Sequence, residues 1–320
     1  MVGALLVHEN KVIGEGYHRH YGEAHAEVNC IASVEEHHKS LIPASTLYVS
    51  LEPCAHTGKT PPCTHLILKH GIRKVVVGCS DPFKQVNGKG IQMLRSAGVE
   101  VETGILEKEC IQLNKRFFTF HKKHRPFIVL KWAQTADKKT GLEDYSRIFI
   151  TNETMNRLVH KWRSEEASIL VGTNTALHDN PALTNRLWTG PSPVKLVVDM
   201  DLRLPASLTI FAGQTRTIIF NKRLHEEREH LLYYQVTEEV NIVHQIINGL
   251  YHHNIQSVLV EGGTKLLQSF IDEDLWDEAR VITNLDMNVV NGIPAPLLQK
   301  VRQVESITYG SNLLNTYHHY

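Results

Sequence analysis

An excess of charge of either sign is missing from this chain: 34 Lys and Arg balance 34 Asp and Glu over 320 residues, a formal net charge of zero. Nucleic-acid binding rests on a basic excess, so a polyanion-binding surface spread over the whole chain is excluded, although a local basic pocket for one phosphate is not. Cysteine is scarce. The five residues (Cys30, Cys54, Cys63, Cys79 and Cys110) are too few and too scattered for a disulfide framework, and their odd number points to thiols, with metal binding as the exception. No stretch approaches the ~18 uncharged apolar residues of a membrane span. The first residues read directly as a strand, without the charged-then-apolar pattern of a signal peptide. The expectation is a soluble, cytoplasmic protein with neither a membrane nor a nucleic acid as partner.

The apolar share of 42% and the charged share of 21% are those of a globular protein, and at ~100–200 residues per domain the length suits two domains. Histidine is abundant at 20 residues, and the pairs His37-His38, His252-His253 and His318-His319 read as solvated surface. Strand-like runs alternate with helical patterns, which gives an α/β protein. In the first half, 2–7 and 12–17 form a hairpin, 46–51, 74–79 and 99–103 are strands, and 24–36, 64–70, 90–97 and 107–123 are helices. A basic, proline-ended stretch, His121-Lys122-Lys123-His124-Arg125-Pro126, marks a boundary and divides the chain into domains 1–124 and 125–320. Beyond it, 127–132, 168–172, 195–198, 217–220 and 257–260 read as strands, and 153–163, 240–252 and 264–271 as helices.

The residues with chemistry are His25-Ala26-Glu27 and, after an intervening strand, Pro53-Cys54 and Pro61-Pro62-Cys63. One imidazole and two thiolates make three ligands for Zn²⁺ and leave a fourth tetrahedral position to water, which zinc makes acidic enough to attack near neutral pH. A carboxylate beside the metal but not bound to it then shuttles protons, and Glu27 is placed for this. Residues i and i+2 diverge on a regular helix, so His25 and Glu27 approach one metal only at a helix entrance. The common zinc-deaminase pattern pairs H-x-E with P-C-x-x-C, whereas here eight residues separate the cysteines. Other readings stay open: a structural zinc site closed by His56 or His65, or buried thiols beside an ordinary histidine. In the second half, Val258-Leu259-Val260-Glu261-Gly262-Gly263-Thr264 reads as a strand, a glycine pair and a helix start, which lets backbone approach a phosphate. It lacks the full G-x-G-x-x-G of a dinucleotide fingerprint.

Through Leu51-Glu52-Pro53-Cys54-Ala55-His56-Thr57-Gly58-Lys59-Thr60-Pro61-Pro62-Cys63 the chain closely resembles the bifunctional pyrimidine deaminase/reductase family of bacterial riboflavin biosynthesis, which has this wide cysteine spacing. The resemblance continues at Asp81-Pro82 and Gly88-Lys89-Gly90, then at Leu130-Lys131-Trp132-Ala133, Asp179-Asn180-Pro181-Ala182-Leu183-Thr184 and Glu261-Gly262-Gly263, and covers nearly the whole chain. It implies a cytidine-deaminase-like three-layer α/β/α domain followed by a dihydrofolate-reductase-like α/β domain. The first hydrolyses the 2-amino group of a 2,5-diamino-6-ribosylaminopyrimidinone 5′-phosphate, with His25, Cys54 and Cys63 on zinc, Glu27 as acid/base, and His18, His56 and Lys59 on the substrate. The second uses NADPH to turn the ribosyl group into ribityl. NADPH is implied near Ala133, Phe149, Thr175, Asp179 and the run Gly263, Thr264, Lys265, Leu266, Leu267, Gln268 and Ser269, and the sugar phosphate near Arg147, Arg163, Leu183, Arg186 and Glu261. A homo-oligomer is implied as well.

Three departures stand in the second half: Lys138 where the family has glycine, Phe149 where it has tryptophan, and Arg147 where it has serine. A larger one stands at the N-terminus, where the chain starts already in the first strand, without the family's first helix, Pro-Asn-Pro turn and substrate-contacting asparagine. The expectation is that the true start lies upstream or that the sequence is fragmentary, with an apolar patch left at Leu5, Val7 or their neighbours, poor deamination and a tendency to aggregate. Two competing readings are a reductase whose first domain is only a zinc-stabilised structural or dimerising module, and a deaminase acting on nucleic acid, against which the zero net charge counts.

Overall fold

The structure, a computed structural model, describes residues 1–20, 22–58, 61–83 and 86–320. The chain divides into two compact units, Met1–Lys123 and His124–Tyr320, each of mixed α/β structure.

In the first unit, β1 (Gly3–His8) and β2 (Lys11–Tyr17) form the expected hairpin. Glu9 and Asn10 both sit at positive φ, 45° and 62°, as a two-residue turn matched to strand twist requires. Beside the hairpin lie β3 (Thr46–Leu51), β4 (Lys74–Cys79) and β5 (Glu100–Thr103), in the order β2-β1-β3-β4-β5. Period-two alternation turns Leu6, Leu47, Val75 and Val77 to one face. There they pack with Ile31 of α1 (Ala26–Ala32), Ile67 of α2 (Cys63–Lys69) and Leu94 of α3 (Lys89–Ser96). On the other face, α4 (Glu107–Leu113) and α5 (Lys115–Lys123) meet β4 through Cys110 and Phe118. The rest of that face is an open groove of about 830 Å³, whose lining includes Leu5, Tyr17, Tyr48 and Leu106; Val7 is half-buried.

Two helices differ from expectation. The first stops at Ala32 because the Ser33 hydroxyl donates to the Cys30 carbonyl, at 2.8 Å, and accepts from the Glu15 amide, at 2.8 Å. A 3₁₀ segment, Glu36–Ala44, follows. The long helix expected over 107–123 breaks at Asn114, a buried side chain that donates to the Cys110 carbonyl and accepts from the Met1 amino group.

The second unit holds a ten-stranded sheet. Its parallel centre runs β6 (Phe127–Thr135), β8 (Ser168–Gly172), β9 (Val194–Val198), β10 (Thr217–Asn221), β12 (Leu231–Gln235), β13 (Ser257–Gly262) and β14 (Glu278–Asn284) in the order β12-β10-β9-β8-β13-β6-β14. Antiparallel β11 (Glu226–Arg228) borders one edge; β17 (Asn312–His319) and β16 (Val301–Tyr309) border the other, and β7 (Lys139–Leu142) pairs separately with β15 (Gly292–Pro294). One face packs on α8 (Ile242–His252) and α9 (Thr264–Asp272), the other on α6 (Glu153–Glu165) and α7 (Thr173–Asp179). The strands from β14 onward went unread because polar residues break their alternation: Glu278 and Arg280 are buried as an ion pair at 2.6 Å, and β16 is largely exposed. All parallel strands end at one edge of the sheet, the edge where open α/β sheets place ligands.

Candidate active sites

In the first unit His25 is the N-cap of α1, with extended backbone (φ −70°, ψ 166°), and Glu27 lies in the first turn. The chain therefore changes direction between them, which is the helix entrance that the i, i+2 spacing demands. Cys63 opens α2, and Cys54 sits in the loop after β3, where the Cys63 amide donates to its Sγ at 3.3 Å and the Thr64 amide to its carbonyl at 3.2 Å. His25 Nδ1 lies 3.5 Å from the Cys54 Sγ and 3.3 Å from the Cys63 Sγ, and all three ligand atoms fall within 4.8 Å of one another. A tetrahedral zinc site has an N-to-S edge of about 3.5 Å, from bonds of about 2.0 and 2.3 Å, so the donor set fits this ion in kind and in spacing.

Hydrogen bonding from Cys63, and less so from His25, lowers the Cys54 thiol, while the same hydrogen bond together with burial raises Cys63. Glu27 is only 3% exposed, and burial raises its carboxyl; it meets the Cys63 side chain, not open water. His18 stands edge-on to His25 at 5.3 Å between ring centroids, and its Nε2 is buried without a hydrogen-bond partner among the described residues. His56 is exposed on the loop, close enough for its charge to act on Asp81; Lys59 lies outside the described residues.

Sequence reading assigned no role to Glu52, although a carboxylate at the end of a buried strand was a signal. It is 4% exposed and accepts four backbone amides: Asp81 and Gly88 at 3.2 and 2.9 Å on Oε2, Gly90 and Ile91 at 2.9 and 3.3 Å on Oε1. The loop before α3 is thereby tied to the residue two places from Cys54. A Cβ on Gly90 would meet the Pro53 carbonyl oxygen at 2.0 Å, so only glycine permits this approach. Asp81, buried beside Glu52, has its carboxyl pushed up to about 6, chiefly by burial.

The second site is electrostatic. Arg163 of α6 closes its fork on Glu261 of β13, Nε to Oε1 at 2.8 Å and NH2 to Oε2 at 2.7 Å, and its NH1 donates to the Thr184 carbonyl at 3.3 Å. Arg163 is thus engaged within the protein, whereas Arg186 is exposed, its NH1 donating to Thr184 Oγ1 at 3.0 Å. Lys131, which sequence reading also left without a role, lies 3.9 Å from Glu261, and burial lowers its ammonium. The neighbouring cations hold the Glu261 carboxyl down at about 2 despite its burial. Leu183 is buried, at φ 53°.

Around the expected cofactor positions, Ala133 lies on β6, and Thr175 and Asp179 on α7. Gly263 caps α9, and Thr264 Oγ1 pairs with Thr140 Oγ1 at 3.1 Å. Further along α9, Leu267 is a core residue with Leu266 packed against the same cluster. Gln268 bonds Leu297 and Asp272, and Ser269 bonds the Leu266 carbonyl. Leu267 is thus a buried core residue, while Gly263, Thr264 and Lys265 stand at the start of α9. Arg147 lies over the ring of Phe149, 5.0 Å from its centroid, and Phe149 is 71% exposed. Lys138 has φ 61°, in the left-handed region that favours glycine.

Comparison with known proteins identifies the family. Residues 1–79 match the family model described as the cytidine and deoxycytidylate deaminase zinc-binding region, and residues 126–284 match the RibD C-terminal domain. The riboflavin biosynthesis protein RibD of Aquifex aeolicus is 39% identical over 282 residues, 86% of this chain and 78% of that protein. The RibD of Escherichia coli is 32% identical over 296 residues, 87% of this chain and 79% of that one. A crystal structure of the diaminohydroxyphosphoribosylaminopyrimidine deaminase/5-amino-6-(5-phosphoribosylamino)uracil reductase of Thermotoga maritima superposes with a TM-score of 0.89 at 34% identity, over 100% of this chain and 92% of that one.

Proposed function

Because the chain belongs to the RibD family of riboflavin biosynthesis proteins, we propose that its two units carry consecutive steps on one phosphorylated pyrimidine. The unit Met1–Lys123 is the zinc deaminase, and the unit His124–Tyr320 is the NADPH-dependent reductase. The observation that carries the first assignment is the convergence of His25, Cys54 and Cys63 at tetrahedral spacing beside a buried carboxylate.

Zinc bound by these three side chains would make a water nucleophilic near neutral pH. Glu27, buried and assigned as a non-ligand, would take the water's protons in turn and pass one to the 2-amino group, which leaves as ammonia, and one to the adjacent ring nitrogen as the ring carbon becomes a carbonyl. His18 and His56 face the pyrimidine, and Lys59 meets the substrate as a point charge.

NADPH supplies the hydride to the ribosyl carbon when bound at Ala133, Phe149, Thr175, Asp179 and the run from Gly263 to Ser269. Arg163, Lys131 and Arg186 outnumber Glu261, so this corner carries a positive excess suited to a sugar phosphate. Arg186 is the phosphate contact, with Arg147, Arg163, Leu183 and Glu261 as the other sugar-phosphate positions. A homo-oligomer in the cytoplasm is the proposed assembly and place; among the described residues no helix is long and apolar enough to cross a membrane.

The test is to assay the half-reactions separately on the intact chain, ammonia release from the diamino substrate and NADPH oxidation with the deaminated one. Both are expected. Reduction without ammonia release would favour a first unit that serves only as a structural module.

A further inference from the structure

We propose that His160 is a positioning residue of the reductase: as a neutral acceptor it fixes the loop that presents Arg186 to the substrate phosphate. The inference rests on the reading of Arg186 as the phosphate contact. His160 and Arg163 lie three residues apart on α6 and so share one helix face. Nδ1 of His160 accepts the Arg186 amide at 2.9 Å and the Leu187 amide at 3.4 Å, while Arg163 NH1 holds the Thr184 carbonyl at 3.3 Å. The loop is otherwise tied mainly to itself, through Asn185 to the carbonyls of Trp188 and Gly190 and to Ser192. His160 is 6% exposed although Arg186 and Leu187 are exposed, so a buried acceptor anchors an exposed anion contact.

Accepting two amides at Nδ1 requires that this nitrogen carry no proton, which leaves the ring proton on Nε2. The surroundings keep it so. Burial lowers the imidazole's affinity for a second proton, as do the charges of Arg163 on its own helix and Arg186 on the loop; Glu261 of β13 and Asn185 act the other way. Protonation would turn Nδ1 into a donor facing two amide donors, with two guanidinium groups close by. The loop would then lose its anchor, and Arg186 its fixed place.

The experiment measures the reductase half-reaction of the full chain with the deaminated, phosphorylated substrate and NADPH. At pH 7.5 His160→Ala is expected to raise the KM for the sugar phosphate about tenfold, the worth of one hydrogen bond, with kcat and the KM for NADPH little changed. His160→Asn, whose Oδ1 falls close to the place of Nδ1, should restore the wild-type KM. The substrate phosphate itself titrates near pH ~6, so wild type and His160→Asn are compared along one pH series. The wild-type KM should rise more steeply below the ordinary imidazole value of about 6.5, and the Asn variant should lack that extra rise. The double variant His160→Ala/Arg186→Ala should have a KM no higher than Arg186→Ala alone, because the histidine acts through the arginine. Additive losses, equal effects on both KM values, or an Asn variant as weak as the Ala variant would overturn the inference. A raised KM in Arg186→Ala with none in His160→Ala overturns it alone; no change in Arg186→Ala overturns the phosphate reading and the inference with it.

Discussion

In the first unit, the proposed metal ligands come from two helix entrances and one loop, with His25 and Cys63 only 38 positions apart, and their ligand atoms converge within 4.8 Å. In the second unit, the central ion pair joins α6 to β13 across 98 positions, with a third member on β6 and a fourth on a loop. The first site is built from residue types that few other roles require, and each ligand is indispensable. The second is built from common charged groups whose effect is shared. Loss of one member should therefore be all-or-none in the first unit and graded in the second.

The sharpest break of that contrast is Cys54→Ser or Cys63→Ser. Either should remove zinc, abolish ammonia release and lower the melting temperature of the first unit, because metal binding contributes to its folding. NADPH oxidation with the deaminated substrate should persist. Metal analysis beside the two assays checks this, and stoichiometric zinc in both variants would mean that the ligand set is wrong.

Next in size is Glu261→Gln, which leaves Arg163 and Lys131 buried without their anion and should cost about 3–5 kcal/mol in denaturant unfolding of the second unit. The pH dependence has a definite sign. Folding holds the Glu261 carboxyl down at about 2 against an ordinary 4.5, so its contribution is complete above pH 4.5 and is lost as pH falls towards 2. Acid titration of stability should show that loss in the wild type and not in the variant. Glu52→Gln is smaller. It keeps one oxygen and turns an amide NH₂ towards backbone donors, at a cost of about 1–3 kcal/mol, and a calorimetric scan should place the loss in the first unit. Lys138→Gly is the smallest: relief of the left-handed penalty of about 1–2 kcal/mol is offset by the entropy of a freer unfolded chain, for a net gain under about 1 kcal/mol.

The same contrast explains what was legible in the sequence. His25, Glu27, Cys54 and Cys63 could be named because zinc chemistry restricts ligand types and spacing, and the structure brings their side chains together. Parallel strands such as Ser168–Gly172 were readable because burial on both faces makes them continuous apolar runs. Glu52 and His160 were not, because each acts on backbone amides, and an amide leaves no trace in residue identity. The engagement of Arg163 by Glu261 was hidden for a different reason: nothing local in either residue's neighbourhood names a partner so distant in sequence.

The central claim is that Glu27 moves protons beside a zinc it does not bind. Glu27→Gln in the intact chain, with zinc measured on the same sample as ammonia release and NADPH oxidation, tests it most directly. Full zinc, unchanged reduction, and deamination slowed by about 10²–10⁴ are expected. Zinc lost from the variant, or deamination retained at the wild-type rate, would contradict it.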